Sequence, residues 1–147
     1  MAADNATILI VEDRPADVLL IRRAFMKAHI VNPLQIVSDG EAAISYLSRA
    51  GSYTDRQRYP TPSLMLLDLK LPRKSGLEVL SWLRAEPEVR RLPVVVLTSS
   101  KESSDVNRAY ELGANSYLLK PVTFESLLEM IKTLRLYWIE MNELPSV

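Results

Sequence analysis

Cysteine is missing altogether, so neither a disulfide nor a thiolate metal site can enter the chemistry, and the chain suits a reducing compartment. A surplus of charge is missing too. Eighteen lysines and arginines face eighteen aspartates and glutamates, a formal net charge of +0, which provides no overall field to hold a nucleic acid or an anionic membrane. Partners are expected to recognise local patches, with no nucleic acid and no membrane among them. No apolar run approaches the roughly 20 residues that cross a bilayer, and the opening MAADNAT lacks the basic-then-apolar pattern of a secretion signal. A cytoplasmic location is the expectation. Repeats, linkers and low-complexity tracts are absent as well. The chain has 147 residues, 48% hydrophobic and 24% charged, enough for one globular domain with a sizeable core but without room for a second. The expected domain spans 1–147, with its core over 7–141 and a short tail over 142–147.

Four short apolar runs stand out, TILIV (7–11), SLMLL (63–67), PVVVL (93–97) and NSYLL (115–119), with a weaker PLQIV at 33–37. Each has the length of a strand and little alternation, which suits strands covered on both faces of a parallel sheet. Stretches with helical spacing lie between and after them. They run from Pro15 to Ala28, Asp39 to Arg49, Gly76 to Ala85, Ser103 to Leu112, with capping-type serines at its start and Gly113 at its end, and Phe124 to Met141. Strand and helix alternate five times, which predicts an open α/β sheet with helices on both faces. The long polar connection GSYTDRQRYPTP (51–62) reads as a mobile surface loop.

Parallel strands present their C-terminal ends at one edge, so the residues just beyond each run meet in space. After the first come Glu12 and Asp13, after SLMLL comes Asp68, after PVVVL come Thr98 and Ser99, and after NSYLL comes Lys120, with Pro121 next. Ligands of open α/β sheets bind outside those ends. Three neighbouring carboxylates repel one another, and Lys120 balances only part of their charge. A hard divalent cation, Mg2+, is the natural complement, because it takes one or two carboxylates, waters and a phosphoryl oxygen. Asp68 then reads as a nucleophile toward phosphorus and Thr98 as a hydrogen-bond donor to the group it would carry.

Taken together, these residues resemble a response-regulator receiver domain over essentially 7–141. The resemblance implies a flavodoxin-like (βα)5 fold with strand order 2-1-3-4-5. It makes Asp68 the phosphoacceptor of a two-component phosphorelay, with a sensor histidine kinase as donor. It also implies that Asp13 and Asp68 bind Mg2+ directly, that Glu12 helps through water, and that the backbone carbonyl of Lys70 completes the protein ligands. Thr98 and Lys120 hold the phosphoryl group, Tyr117 is the aromatic switch partner of Thr98, and the Lys120–Pro121 bond is expected cis. The 51–62 connection, LTSSKESSDV (97–106) and YWIEMNELP (137–145) are similar to single-domain response regulators that partner phytochrome histidine kinases. A bacteriophytochrome is therefore the expected kinase. Onward transfer to a histidine phosphotransfer protein stays open.

Singly, each of these residues has an ordinary reading. Glu12 and Asp13 could cap the helix near Pro15, Asp68 could be a turn residue before Pro72, and Thr98 and Lys120 could be a cap and a strand exit. Their joint occurrence at four successive strand ends carries the functional reading. Tyr117 remains open between packing and switching, and lone His29 reads as a polar residue near a helix end. An aspartate-nucleophile phosphatase of the haloacid-dehalogenase type would want a second acid two residues after Asp68, where this chain has Lys70. No glycine-rich loop comes after the first strand to hold a mononucleotide. A phosphorylation-independent adaptor would not need the complete acceptor set. The chain is thus expected not to be an enzyme, beyond its own phosphorylation and dephosphorylation.

Lys70 projects a cation toward the rim of the site and predicts slow self-dephosphorylation, while Ser99, small like the family's usual residue there, should leave phosphate access open. In the last helix, Phe124, Leu127, Ile131, Leu134, Trp138 and Met141 trace one apolar seam by steps of three and four, leaving Met130, Leu136, Tyr137 and Ile139 off it. That end is apolar on more than one side, the mark of an association surface, although burial of Trp138 under NELPSV would serve as well. Related receivers form symmetric dimers there. The expectation is a homodimer through the last helix and last strand, with Tyr137, Trp138 and Ile139 at the interface. Its output is expected to be an interaction, since no further domain comes after Met141.

Overall fold

The computed structural model describes residues 5–146. Five parallel strands form one sheet: β1 (Ile8–Val11), β2 (Leu34–Val37), β3 (Leu64–Leu67), β4 (Val94–Thr98) and β5 (Ser116–Leu119), in the order β2-β1-β3-β4-β5. Ile8 pairs with both Leu34 and Leu64, and Val95 with Ser116, so the C-terminal ends lie at one edge as parallel pairing demands. Although the strands show no polar alternation, their side chains still divide by the two-residue period. Leu9, Val11, Met65, Leu67, Val94 and Val96 join one core, while Ile8, Ile10, Leu64, Leu66, Val95 and Leu97 join the other. This is why the three central runs read as continuously apolar.

The first core lies under α2 (Gly40–Ser48), α3 (Gly76–Ala85) and α4 (Ser103–Glu111), through Tyr46, Leu80, Leu83 and Ala109 among others. The second lies under α1 (Pro15–Lys27) and α5 (Phe124–Leu134), through Ile21, Phe25, Leu127 and Ile131. Local chemistry sets the starts. Pro15 opens α1, and the side chains of Asp39, Ser75 and Thr123 accept from the N–H of Ala42, Glu78 and Ser126 at 2.7, 3.2 and 3.1 Å. Gly113, at φ +102°, lies just past the end of α4. No helix among the described residues is long and apolar enough to cross a membrane.

Four expectations are corrected. Helix α4 starts after Glu102 with no side-chain cap from its serines; instead Asp105 in its first turn takes the Ser100 hydroxyl at 2.5 Å. The 51–62 connection is pinned rather than loose. A short 3-10 turn (Gly51–Tyr53) and the segment beyond it bring Tyr53 and Tyr59 onto Tyr46, with ring centroids 5.3 and 5.9 Å from it. The Tyr46 hydroxyl donates to the Pro60 carbonyl at 2.7 Å, and Gln35 on edge strand β2 donates to the Arg58 carbonyl at 3.1 Å. The Lys120–Pro121 bond is trans; the two isomers of such a bond differ by only about 0.5–1 kcal/mol.

The fourth correction concerns the last helix. After Leu134 it widens into a π-helical stretch, Arg135–Met141. Five-residue winding then carries the seam from Leu134 to Ile139 rather than to Trp138. Ile139 is consequently 4% exposed in the second core and Met141 is 67% exposed, the reverse of the expected placement. Trp138 packs half-buried against that core. Leu136 and Tyr137 remain exposed, and Ile139 faces the interior of its own chain.

Candidate functional site: an acidic hollow at the strand ends

Backbone bonding continues one residue past β1 and β3. The Glu12 N–H donates to the Val37 carbonyl at 3.0 Å and that of Asp68 to the Val11 carbonyl at 3.1 Å, which fixes both carboxylates at the sheet edge. Lys120 N–H donates to the Thr98 carbonyl at 2.8 Å, tying the end of β5 to that of β4. Carboxylate oxygens of Glu12, Asp13 and Asp68 all lie within 4.8 Å of one another. The Lys120 ammonium reaches Glu12 Oε1 at 2.5 Å and Asp68 Oδ2 at 3.0 Å. It also reaches Asp17 Oδ2 at 3.0 Å, from the first turn of α1.

Three carboxylates thus share one ammonium, with a fourth, Asp13, beside them. Burial works hardest on Glu12 and pushes its carboxyl above the ordinary range, against the opposing pull of Lys120. Burial alone would depress Lys120, but its hydrogen bonds to Glu12, Asp68 and Asp17 outweigh that and hold its ammonium above the usual lysine range. Glu12, Asp68 and Thr98 are buried. Among the described residues, one buried oxygen of these acids has no partner: Asp13 Oδ1, in the same cluster as Glu12 and Asp68. A buried carboxylate oxygen normally finds a donor or a cation. The donor set here, all hard oxygen, fits a divalent cation such as Mg2+ or Mn2+, with Glu12, Asp13 and Asp68 as the residues able to hold it.

The remaining expected residues lie around this centre. Lys70 N–H donates to Asp68 Oδ1 at 3.3 Å, while its side chain turns outward to Asp105 Oδ2 at 3.3 Å. Tyr117 packs against the first core and donates its hydroxyl to the Ser100 carbonyl at 2.9 Å. Ser99 is exposed. Sequence reasoning passed over Asp17, Ser100, Asp105 and Gly76. Asp17 lies in the first turn of α1, close after Glu12 and Asp13 in the sequence, and that proximity was the available signal. Gly76, at the start of α3, sits so close to the Asp68 carbonyl that any Cβ would overlap it, so the helix can approach the site only as glycine.

With this geometry in view, the comparisons with known proteins agree. The chain matches the response regulator receiver domain over residues 8–132 and belongs to that family. It is 40% identical over 139 residues to the response regulator Rcp1 of Synechocystis sp., covering 95% of this chain and 92% of that protein. It is also 40% identical over 144 residues to the probable methanogenesis regulatory protein FilR2 of Methanothrix harundinacea, 98% of this chain and 90% of that one. Among solved structures, the phosphorylated cyanobacterial phytochrome response regulator RcpA matches with a TM-score of 0.89 at 35% identity, over 97% of this chain and 99% of its own. The Mn(2+)-bound form of Rcp1 matches with a TM-score of 0.85 at 40% identity, over 95% and 99%. The flavodoxin-like strand order expected from the resemblance is the one the structure has.

Proposed function

We propose that this receiver takes a phosphoryl group from a sensor histidine kinase onto Asp68 and relays the event by changing its own surface. The observation that supports it most directly is the unpartnered, buried Asp13 Oδ1 beside Glu12 and Asp68, in a hollow where Lys120 is shared among several acids. An Asp68 carboxylate oxygen attacks the phosphorus of the phosphohistidine in line. A P–O bond forms, the P–N bond breaks, and its electron pair returns to the imidazole nitrogen. Lys120, already 3.0 Å from Asp68 Oδ2, pairs with a phosphoryl oxygen, and the Thr98 hydroxyl donates to another. Asp13, Asp68 and the Lys70 carbonyl would hold Mg2+ directly, with Glu12 helping through water, and the ion would supply neutralising charge for the transferred group. Thr98 and Tyr117 then carry the change outward, Tyr117 by leaving its bond to the Ser100 carbonyl.

The phytochrome naming of RcpA favours a phytochrome kinase as donor in the cytoplasm. FilR2 shows that equal identity also occurs in a protein named for a different pathway. Exposed Tyr137 lines a groove of about 370 Å³ together with Leu118, Met130 and Trp138, which supports a homodimer through the last helix and β5. Lys70, at the position where a phosphatase needs its second acid, speaks against turnover.

The test is incubation with acetyl phosphate, with and without magnesium, then intact mass and light scattering. One added phosphoryl group that requires the metal and disappears in Asp68→Asn is the expected result. Steady phosphate release over many cycles would favour an enzyme, and monomer alone at tens of micromolar in both states would rule out the dimer.

A further inference from the structure

One cation at the rim of the hollow has no part in transferring phosphorus. Lys70 is 66% exposed at its side chain, and a lysine so placed ordinarily keeps its rotamer freedom. Here its Nζ stands 3.3 Å from Asp105 Oδ2, whose side chain is only 17% exposed. The same oxygen accepts the Ser100 hydroxyl at 2.5 Å, so the carboxylate is fixed before the lysine arrives. That hydroxyl, and after it Lys70, hold the Asp105 carboxyl below the usual carboxylate range. The other end of Lys70 is tied as well, since its backbone N–H donates to Asp68 Oδ1 at 3.3 Å. Main chain and side chain of one residue thus join the phosphoacceptor to the first turn of α4.

We propose that Asp105 is a positioning residue for Lys70: it draws the ammonium to the edge of the hollow, away from the group on Asp68, and so shortens the life of the aspartyl phosphate. The inference rests on the reading of Asp68 as phosphoacceptor. Loss of the group needs a water oxygen to attack phosphorus in line with the P–O bond to Asp68. That bond breaks, its electron pair stays on the carboxylate, and the water oxygen leaves in inorganic phosphate with one of its protons while the other passes to solvent. An ammonium resting on the phosphoryl oxygens obstructs the water's line. A phosphoryl group carries more negative charge than one carboxylate and competes with Asp105 for Lys70, and the outcome depends on how firmly Asp105 holds it. Asp105 is the variable in that competition.

Asp105→Asn keeps an oxygen for the Ser100 hydroxyl and removes the charge. Its aspartyl phosphate, loaded with acetyl phosphate and tracked by intact mass after the reagent is removed, is expected to last roughly two to five times longer than in the wild type, the range of a partly exposed ion pair. Lys70→Ala is expected to shorten the lifetime, and Lys70→Ala with Asp105→Asn to match Lys70→Ala alone. Asp105→Glu should return the lifetime toward the wild-type value. An unchanged or shorter lifetime in Asp105→Asn overturns the proposal, as does a double variant that outlasts Lys70→Ala, because the effect would then pass through α4 and not through Lys70. If circular dichroism shows Asp105→Asn unfolded, Asp105→Ser replaces it with the same expectations. Failure of the folded wild type to take up phosphorus is a different result, and it overturns the reading of Asp68 itself.

Discussion

The two ends of β4 and β5 handle buried charge in opposite ways. At their C-terminal ends, carboxylates crowd one ammonium, and Asp13 Oδ1 has no partner at all. At their N-terminal ends a guanidinium is saturated. Arg84, in the last turn of α3, donates to the carbonyls of Gly113 at 2.6 and 3.1 Å, of Arg90 at 2.7 Å and of Leu92 at 2.8 Å. It also reaches Asn115 Oδ1 at 3.2 Å, an oxygen that accepts the Val94 N–H at 2.8 Å. Burial depresses the Arg84 guanidinium, yet every direction in which it points offers an acceptor. The lesson is that a saturated charge holds the frame together, whereas an unpartnered carboxylate oxygen among other acids is free to take a cation.

The sharpest way to break that contrast is to remove the saturated charge. Arg84→Ala leaves three carbonyls and Asn115 short of donors, and about 3 kcal/mol of stability is expected to go with them in urea unfolding. Phosphoryl uptake by the folded fraction should be unchanged, since Arg84 lies at the far end of the sheet. A cost below about 0.5 kcal/mol would show that water replaces the guanidinium without penalty.

The opposite sign is expected at the other end. Asp13→Asn relieves repulsion among Glu12, Asp13 and Asp68, so the protein should gain about 1 kcal/mol in the same assay without magnesium. Magnesium affinity by calorimetry should fall roughly tenfold or more. A variant that is less stable than the wild type would mean that the acids are held by bonds within the chain and not reserved for a cation.

How much of this could be read in the sequence obeys the same division. The strand runs, the sheet class and the convergence of Glu12, Asp13, Asp68, Thr98 and Lys120 were legible, because fully buried parallel strands leave continuous apolar runs and the sheet edge gathers the residues at their ends. Strand order was available only through the family resemblance. Side-chain partnerships were not legible. Nothing in the spacing shows that Asp105 meets Lys70 or that Arg84 meets Gly113, since each pair joins a helix to a loop distant in sequence. The π-helical stretch escaped for another reason: a seam of threes and fours assumes α-helical winding, and one wider turn moved Ile139 inward and Met141 outward.

A finer test compares the hollow with the tyrosine cluster that pins the 51–62 connection. Tyr46, Tyr53 and Tyr59 pack tilted or edge-to-face with centroids 4.9 to 5.9 Å apart, and the Tyr46 hydroxyl is spent on the Pro60 carbonyl. Burial, with the neighbouring Tyr53 and Tyr59 adding to it, pushes the Tyr46 hydroxyl up to about 12. Linkage sets the sign. The folded value lies above the unfolded one, so the contribution of this hydroxyl to stability is complete below the ordinary tyrosine value of about 10 and declines as pH rises from there through about 12. Tyr46→Phe is expected to cost about 1 kcal/mol at neutral pH, for one hydrogen bond lost and the Pro60 carbonyl left short of a donor. It should also flatten the alkaline decline, measured as urea midpoints over that range, while phosphoryl uptake at Asp68 stays as in the wild type. A decline equally steep in Tyr46→Phe would assign the alkaline loss to the other groups held above their ordinary values, Tyr53, Tyr117 and Lys120, whose stabilisation likewise disappears as pH rises. In that case the Tyr46 hydroxyl would not be the group whose ionisation gives way first in base.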